Sequence, residues 1–358
     1  MEKYKVIGLM SGTSLDGLDL AYCHFWQTDN TWKFNILQTK SINYNTEFQK
    51  KLKSAIALPT QELKAFNNSY GTWLGKQSKQ FISENNLAVD YIASHGHTVH
   101  HRPEKGYTYQ LGSGQHLANE SGIKTICDFR TNDVSLGGQG APLVPIGDLL
   151  LFNEYDFCLN LGGISNVSFQ QKNKRIAYDI GIANMALNYI TQKINLAYDE
   201  NGTLAKSGSI NQNMLQQLNN LEYYKLPFPK STGYEWFKSN IIPIIDSTND
   251  TIENLLHTTV VHICTMIAEQ LKTVATQQKN TLLITGGGAL NGFLIDVLQK
   301  KLGENIKIAT PSKTIIEFKE ALIFAFMGVL RSENITNVLS SVTGAERDSC
   351  SGVIFNPQ

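Results

Sequence analysis

The sequence predicts an α/β protein built from two related domains. Three observations lead there. Apolar runs of strand length alternate with long helical patterns, which is the pattern of a largely buried sheet covered by helices. At 358 residues the chain is too long for one small core. The order of elements that opens the chain also returns near its middle: residues 6–39 read as strand, Gly/Ser/Thr/Asp turn, strand and third strand, and residues 156–180, "FCLNLGGISNVSF" followed by "KRIAYDIG", read the same way.

In chain order, apolar runs bounded by turn residues predict strands at 5–10, 18–25, 33–39, 90–94, 123–127, 156–161, 165–170, 175–179, 281–285 and 306–309. Helical spacing predicts helices at 46–57, 60–85, 183–194, 252–276, 290–302 and 315–331. The clearest is 252–276, where Ile252, Leu255, Leu256, Val260, Ile263, Ile267 and Leu271 recur on one face. The repeat places a boundary near 140–155, giving domains 1–145 and 146–358 with a cleft between them. The last residues are free to return to the first domain.

Composition narrows the function. The hydrophobic fraction is 42%, the charged fraction 17% and the net charge zero, so no nucleic-acid partner is expected. The longest apolar stretch, 321–330, is about half of a membrane crossing. Ser11, Thr13 and Asp16 interrupt the only stretch that resembles a secretory leader, which predicts a cytoplasmic protein with no membrane partner. Cys23, Cys127, Cys158, Cys264 and Cys350 form no CxxC pair, so neither a zinc ribbon nor a disulfide scaffold is expected.

Several stretches could carry chemistry. Met10-Ser11-Gly12-Thr13-Ser14-Leu15-Asp16-Gly17 joins the first two strands, and its backbone N–H groups and hydroxyls would suit phosphate oxygens, with Asp16 and Asp19 near enough to hold a metal ion. Read alone, the stretch is better taken as a tight hairpin with its polar residues facing water. Gly286-Gly287-Gly288 lies between a strand and a helix beginning about Asn291, where backbone can approach a ligand or simply turn tightly. Asp179 ends a strand in "IAYDIGIAN", where a carboxylate could be a general base or hold a water that bridges to a metal. Glu320, in an apolar helix, either faces the cleft or ends in solvent. The run "SHGHTVHHRP" holds His95, His97, His100 and His101 without a nearby Cys or carboxylate at zinc-ligand spacing, which favours a sugar- or phosphate-contacting loop over a metal site. In "DFRTNDVSLGGQGAPLVP", Arg130 suits an anionic ligand, and Gly137-Gly138-Gln139-Gly140 reads as a hinge or substrate loop.

Seven blocks in order, "GLMSGTSLDGLD", "HGHTVHHRP", "DFRTNDVSLGGQGAPLVP", "LNLGGISNV", "PKSTGYEWF", "TGGGALN" and "SVTGA", resemble the anhydro-N-acetylmuramic acid kinases along nearly the whole chain. The resemblance implies two related domains of the actin/hexokinase/Hsp70-like (ribonuclease H-like) fold with an interdomain ATP cleft, and the use of ATP and Mg2+. It implies an enzyme that opens the 1,6-anhydro ring with water while phosphorylating O6, giving N-acetylmuramic acid 6-phosphate for peptidoglycan recycling. By the same resemblance, Asp179 is the catalytic base, with Glu320 and Arg130 beside the reaction. Gly12, Thr13, Ser14, Leu15, Asp16, Gly17, Leu18 and Asp19 hold the nucleotide phosphates, Asp16 and Asp19 lie near Mg2+, and Gly286, Gly287, Gly288 and Asn291 lie against adenosine. His95, Thr98, Arg130 and Asn184 lie near the amino sugar, and a homodimer is expected.

The sequence departs from the family pattern after the base. Where the family usually reads DTGPGN, this chain has Asp179-Ile180-Gly181-Ile182-Ala183-Asn184, which implies a reshaped turn. His97 replaces the usual Gln, Leu290 a His and Asp148 a common His. A kinase of the same fold acting on another sugar, or a nucleotide-binding sensor weakened in catalysis, are the competing expectations.

Overall fold

The computed structural model describes residues 3–12, 15–276 and 279–358. Contacts divide the chain into two compact units, Met1–Phe152 with Phe318–Gln358, and Asn153–Glu317. This differs from a single cut after 145. The helix Lys313–Ser332 begins in the second unit, and from Phe318 onward its residues belong to the first.

In the first unit, β1 (Tyr4–Ser11), β2 (Gly17–Thr28) and β3 (Thr31–Asn43) form an antiparallel meander. β4 (Tyr91–Arg102) pairs parallel to β1 and carries β5 (Tyr107–Leu111) antiparallel on one side. β6 (Thr125–Cys127) runs parallel to β4. The alternation of Ile7 and Leu9 with Leu18 and Leu20 puts those side chains on the face covered by the helix Thr60–Asn85, whose Leu63, Phe66, Tyr70, Leu74 and Phe81 recur at helical spacing. The helix Lys313–Ser332 approaches β1 so closely that a Cβ on Gly8 would meet the Ala321 carbonyl oxygen at 1.9 Å. Only glycine fits there.

In the second unit, β7 (Phe157–Leu161), β8 (Ile164–Gln171) and β9 (Lys174–Ile182) repeat the antiparallel meander. β10 (Asn280–Thr285) runs parallel to β7, and β11 (Ile306–Ala309) parallel to β10. The helix Ile252–Val274 is capped by Thr251 and buries Leu255, Leu256, Val260, Ile263, Ile267 and Leu271. A last strand, β12 (Val353–Phe355), returns to pair antiparallel with β6 in the first unit.

The two sheets share one plan. Strand orders β3-β2-β1-β4-β6 and β9-β8-β7-β10-β11 each add two parallel strands beside the first strand of a three-stranded meander. This is the duplicated α/β arrangement of the actin/Hsp70-like ATPase fold, with the repeat where the sequence predicts it.

Three expectations change. The histidine-rich run is not a loop: residues 95–102 lie in β4, whose alternating side chains give His95 and His97 buried positions. Asp179 does not end its strand, because β9 continues to Ile182 through a bulge opposite Ser165/Asn166. Gly137-Gly138-Gln139-Gly140 is no free hinge: the Gly138 and Gly140 N–H groups donate to the Asp133 carbonyl and carboxylate, and the Gln139 N–H to the Thr343 carbonyl. Among the described residues, no helix is long and apolar enough to cross a membrane.

Candidate active site

In the first unit the last residue of β1, Ser11, is anchored by a chain of side chains. Tyr70 and Tyr44 hydroxyls are 2.8 Å apart, Tyr44 donates to Ser11 Oγ at 2.8 Å, and Ser11 lies 3.1 Å from His97 Nδ1. Since the Tyr44 proton points to Ser11, Tyr70 donates to Tyr44 and Ser11 to His97. Burial lowers His97 to about 4, consistent with a neutral acceptor. Further along the chain, Leu15 adopts a left-handed backbone (φ +63°) and its carbonyl accepts from Gln49. Thr13 and Ser14 lie outside the described residues. Leu18 is buried in the core, so its side chain faces away from any ligand. Asp16 is exposed, and Asp19 is half-buried on β2 with Oδ1 accepting from Ser41 at 2.6 Å. Two accessible carboxylates are a donor set that suits Mg2+, which keeps several waters and shares the rest of its shell with phosphates.

Arg130 precedes the short helix Thr131–Ser135. Its guanidinium donates to His95 Nε2 through Nε at 3.1 Å and Nη2 at 2.8 Å. His95 Nδ1 is 2.9 Å from the Gly96 carbonyl, which can only accept, so Nδ1 carries the proton and Nε2 is the acceptor. His95 is therefore a neutral orienter of Arg130; burial, and then the Arg130 charge, hold it well below the usual histidine range. Burial lowers Arg130 to about 10, against the opposing pull of Glu320 and then Asp133. The Glu320 side chain reaches solvent, yet its crowded surroundings raise its pKa, countered by Arg130 and Lys319. Thr98 is half-buried, with Gln110 Nε2 3.5 Å from its hydroxyl. Next to Glu320, Lys319 turns inward to a buried ion pair with Asp148 at 2.7 Å.

In the second unit Asp179 sits on the β9 bulge. Its N–H donates to the Lys230 carbonyl at 3.1 Å, its carbonyl accepts from the Tyr223 hydroxyl at 2.7 Å, and Oδ2 accepts from the Thr232 N–H at 3.0 Å. Burial raises its pKa and the Thr232 N–H opposes the shift. Among the described residues no cation pairs with it. Gly286 (φ +80°) follows β10, and a Cβ there would strike Asn160 Oδ1 at 2.5 Å. Asn184 donates to the Leu161 carbonyl at 2.9 Å and stands beside Gly287 and Gly288. The structure thus brings Asn184, expected near the sugar, to the three-glycine turn. Asn291 caps the helix Gly292–Leu302, accepting from the Leu294 N–H at 3.0 Å, so its side-chain carbonyl already has a structural task. Leu290 is 47% exposed.

The residues that hold Asp179 from outside its strand, Tyr223, Lys230 and Thr232, are absent from the sequence-predicted site. The signal for two of them was the block Lys230-Ser231-Thr232-Gly233.

The family model for anhydro-N-acetylmuramic acid kinase matches residues 4–357. The chain belongs to the anhydro-N-acetylmuramic acid kinase family. Curated proteins of that name align end to end with it: 36% identical in Aliivibrio fischeri, covering 99% of both chains, and 32% in Hydrogenovibrio crunogenus, covering 98% of both. In Actinobacillus pleuropneumoniae serotype 3 the identity is 33%, over 99% of this chain and all of the relative. Among solved structures, xylulose kinase from Lactobacillus acidophilus aligns with 99% of this chain and 94% of its own at 9% identity and a TM-score of 0.45. In this member of the anhydro-N-acetylmuramic acid kinase family, the strand that carries Asp179 runs on to Ile182.

Proposed function

We propose that the protein opens 1,6-anhydro-N-acetylmuramic acid with water and phosphorylates O6, yielding N-acetylmuramic acid 6-phosphate in peptidoglycan recycling. One observation carries the reading beyond family membership: Asp179 is a half-buried carboxylate, fixed by a single backbone N–H and unpaired with any cation among the described residues. Such a group is free to take a proton. In this reading Asp179 accepts a proton from the water that attacks the anomeric carbon. The bond from that carbon to O6 breaks as O6 bonds to the γ-phosphorus of ATP, and ADP leaves. Arg130, held by His95, and Glu320 lie at the sugar, and Asp16 and Asp19 are the carboxylates available to Mg2+, whose charge would shield the phosphates. The acceptor work falls to Asp179 and the remaining residues orient, which is how phosphoryl transfer is generally catalysed. A supply of ATP is what the reaction needs, and that supports a cytoplasmic location.

The test is incubation with ATP, Mg2+ and the anhydro sugar, followed by mass spectrometry. The expected product is heavier by phosphate plus water and is absent with Asp179→Asn. Phosphorylation without water addition would indicate an ordinary sugar kinase. Nucleotide binding without turnover would indicate a sensor.

A further inference from the structure

The C-terminal block "SVTGA" has no part in the chemistry above, and Asp133 is a completely buried carboxylate without a mechanistic task. The two meet. Thr343, itself 1% exposed, donates from Oγ1 to Asp133 Oδ1 at 2.7 Å. The other carboxylate oxygen accepts from the Gly140 N–H at 2.7 Å. The Gly140 carbonyl in turn accepts from Arg130 Nη1. The Gln139 N–H donates to the Thr343 carbonyl at 2.8 Å, so Thr343 holds both the Asp133 carboxylate and the glycine segment. A Cβ on Gly138 would lie 2.3 Å from Asp133 Oδ2, so the segment fits over that carboxylate with no space to spare. Arg130 is therefore held from two sides: His95 accepts from Nε and Nη2, and the Thr343–Asp133–Gly140 chain fixes the acceptor for Nη1.

We propose that Asp133 and Thr343 are positioning residues for the sugar-side arginine, so that the tail of the chain sets the aim of a group 213 residues earlier. Thr343 orients the buried carboxylate, the carboxylate fixes the Gly140 peptide, and that peptide fixes the guanidinium plane. The proposal rests on the reading of Arg130 as a sugar-side residue, and its test keeps the two apart.

The experiment is steady-state kinetics of the full-length protein on ATP and the anhydro sugar for Arg130→Ala, Thr343→Val, Thr343→Ser and the double variant Thr343→Val/Arg130→Ala. Thr343→Val keeps the volume and removes the hydroxyl; Thr343→Ala serves if it does not fold. The expected result is a loss of about tenfold or more in kcat/KM for the sugar with Thr343→Val, as a displaced catalytic contact produces. KM for ATP should not change, and Thr343→Ser should recover the rate. The double variant should be no slower than Arg130→Ala alone, because residues acting through one group are not additive. Full activity in Thr343→Val while Arg130→Ala is crippled, or fully multiplicative losses in the double variant, would overturn the proposal and leave the Arg130 reading standing. Full activity in Arg130→Ala would overturn that reading and the proposal with it.

Discussion

The ring of Tyr224 occupies the space where a side chain on Gly181 would stand: a Cβ there meets the ring at 2.4 Å and its hydroxyl at 2.9 Å. The ring cannot step aside easily. Its hydroxyl lies 3.0 Å from His262 Nε2, and His262 Nδ1 donates to Asn219 at 2.6 Å, so the tyrosine is fixed from behind. β9 can therefore run on past Asp179 only with glycine at 181. Gly181→Ala is expected to destabilise the protein by about 1–3 kcal/mol, the usual cost of overpacking, and to lower kcat by displacing Asp179. Thermal melts and kinetics on the same preparation check both.

Asp179→Asn should separate activity from stability. Burial raises the Asp179 pKa, so folding favours its protonated form, and ionisation above that pKa costs stability rather than adding it. The variant should lose the product while melting at the same temperature as the parent or higher. In the parent, the base works only when ionised, so kcat/KM should fall on the acid side at a pH above the ordinary carboxylate value of 3.8.

His97 gives a stability signature of the opposite sign. Its pKa falls from 6.5 to about 4 on folding, so the unfolded chain takes up the proton first as pH drops. Up to about 3 kcal/mol should be lost between pH 6.5 and 4, fully present above that window. His97→Gln, whose amide oxygen can still accept from Ser11, should remove this dependence in urea titrations at several pH values and keep activity within a few-fold. His97→Ala should remove the same pH dependence but lower both stability and activity, since it leaves the Ser11 hydroxyl without its acceptor.

The Asp148–Lys319 pair is 5% and 6% exposed and tests the worth of a buried ion pair. Lys319→Met alone should cost about 3–5 kcal/mol by stranding the carboxylate, whereas Asp148→Leu with Lys319→Met should recover most of it. Equal losses in the two variants by urea unfolding would contradict this.

What was legible in the sequence was local. The strands of both meanders and the long helices announce themselves by alternation and helical spacing, and the repeat predicts two sheets of one plan. β5 and β12, of five and three residues, are too short to show a period. Histidines disguised β4, because polar side chains read as loop although two of them are buried between hydrogen-bonding partners. Gly181 suggested a turn, but its reason for being glycine is a tyrosine ring 43 residues later. The braces on Asp179 come from positions 44 and 53 residues away, and the Asp133–Thr343 bond spans 210. No window along the chain contains such pairs.

The route of the chain fixes an order of completion during synthesis. The second unit has every residue it needs once Glu317 has been made, whereas the first waits for β12 to pair with β6. A nascent chain stalled after 317 would carry a finished middle and an unfinished beginning, with Ile126 and its neighbours lacking an edge partner. The half that is translated first is therefore the half that matures last, and its sheet is closed by three residues made only after the whole second unit.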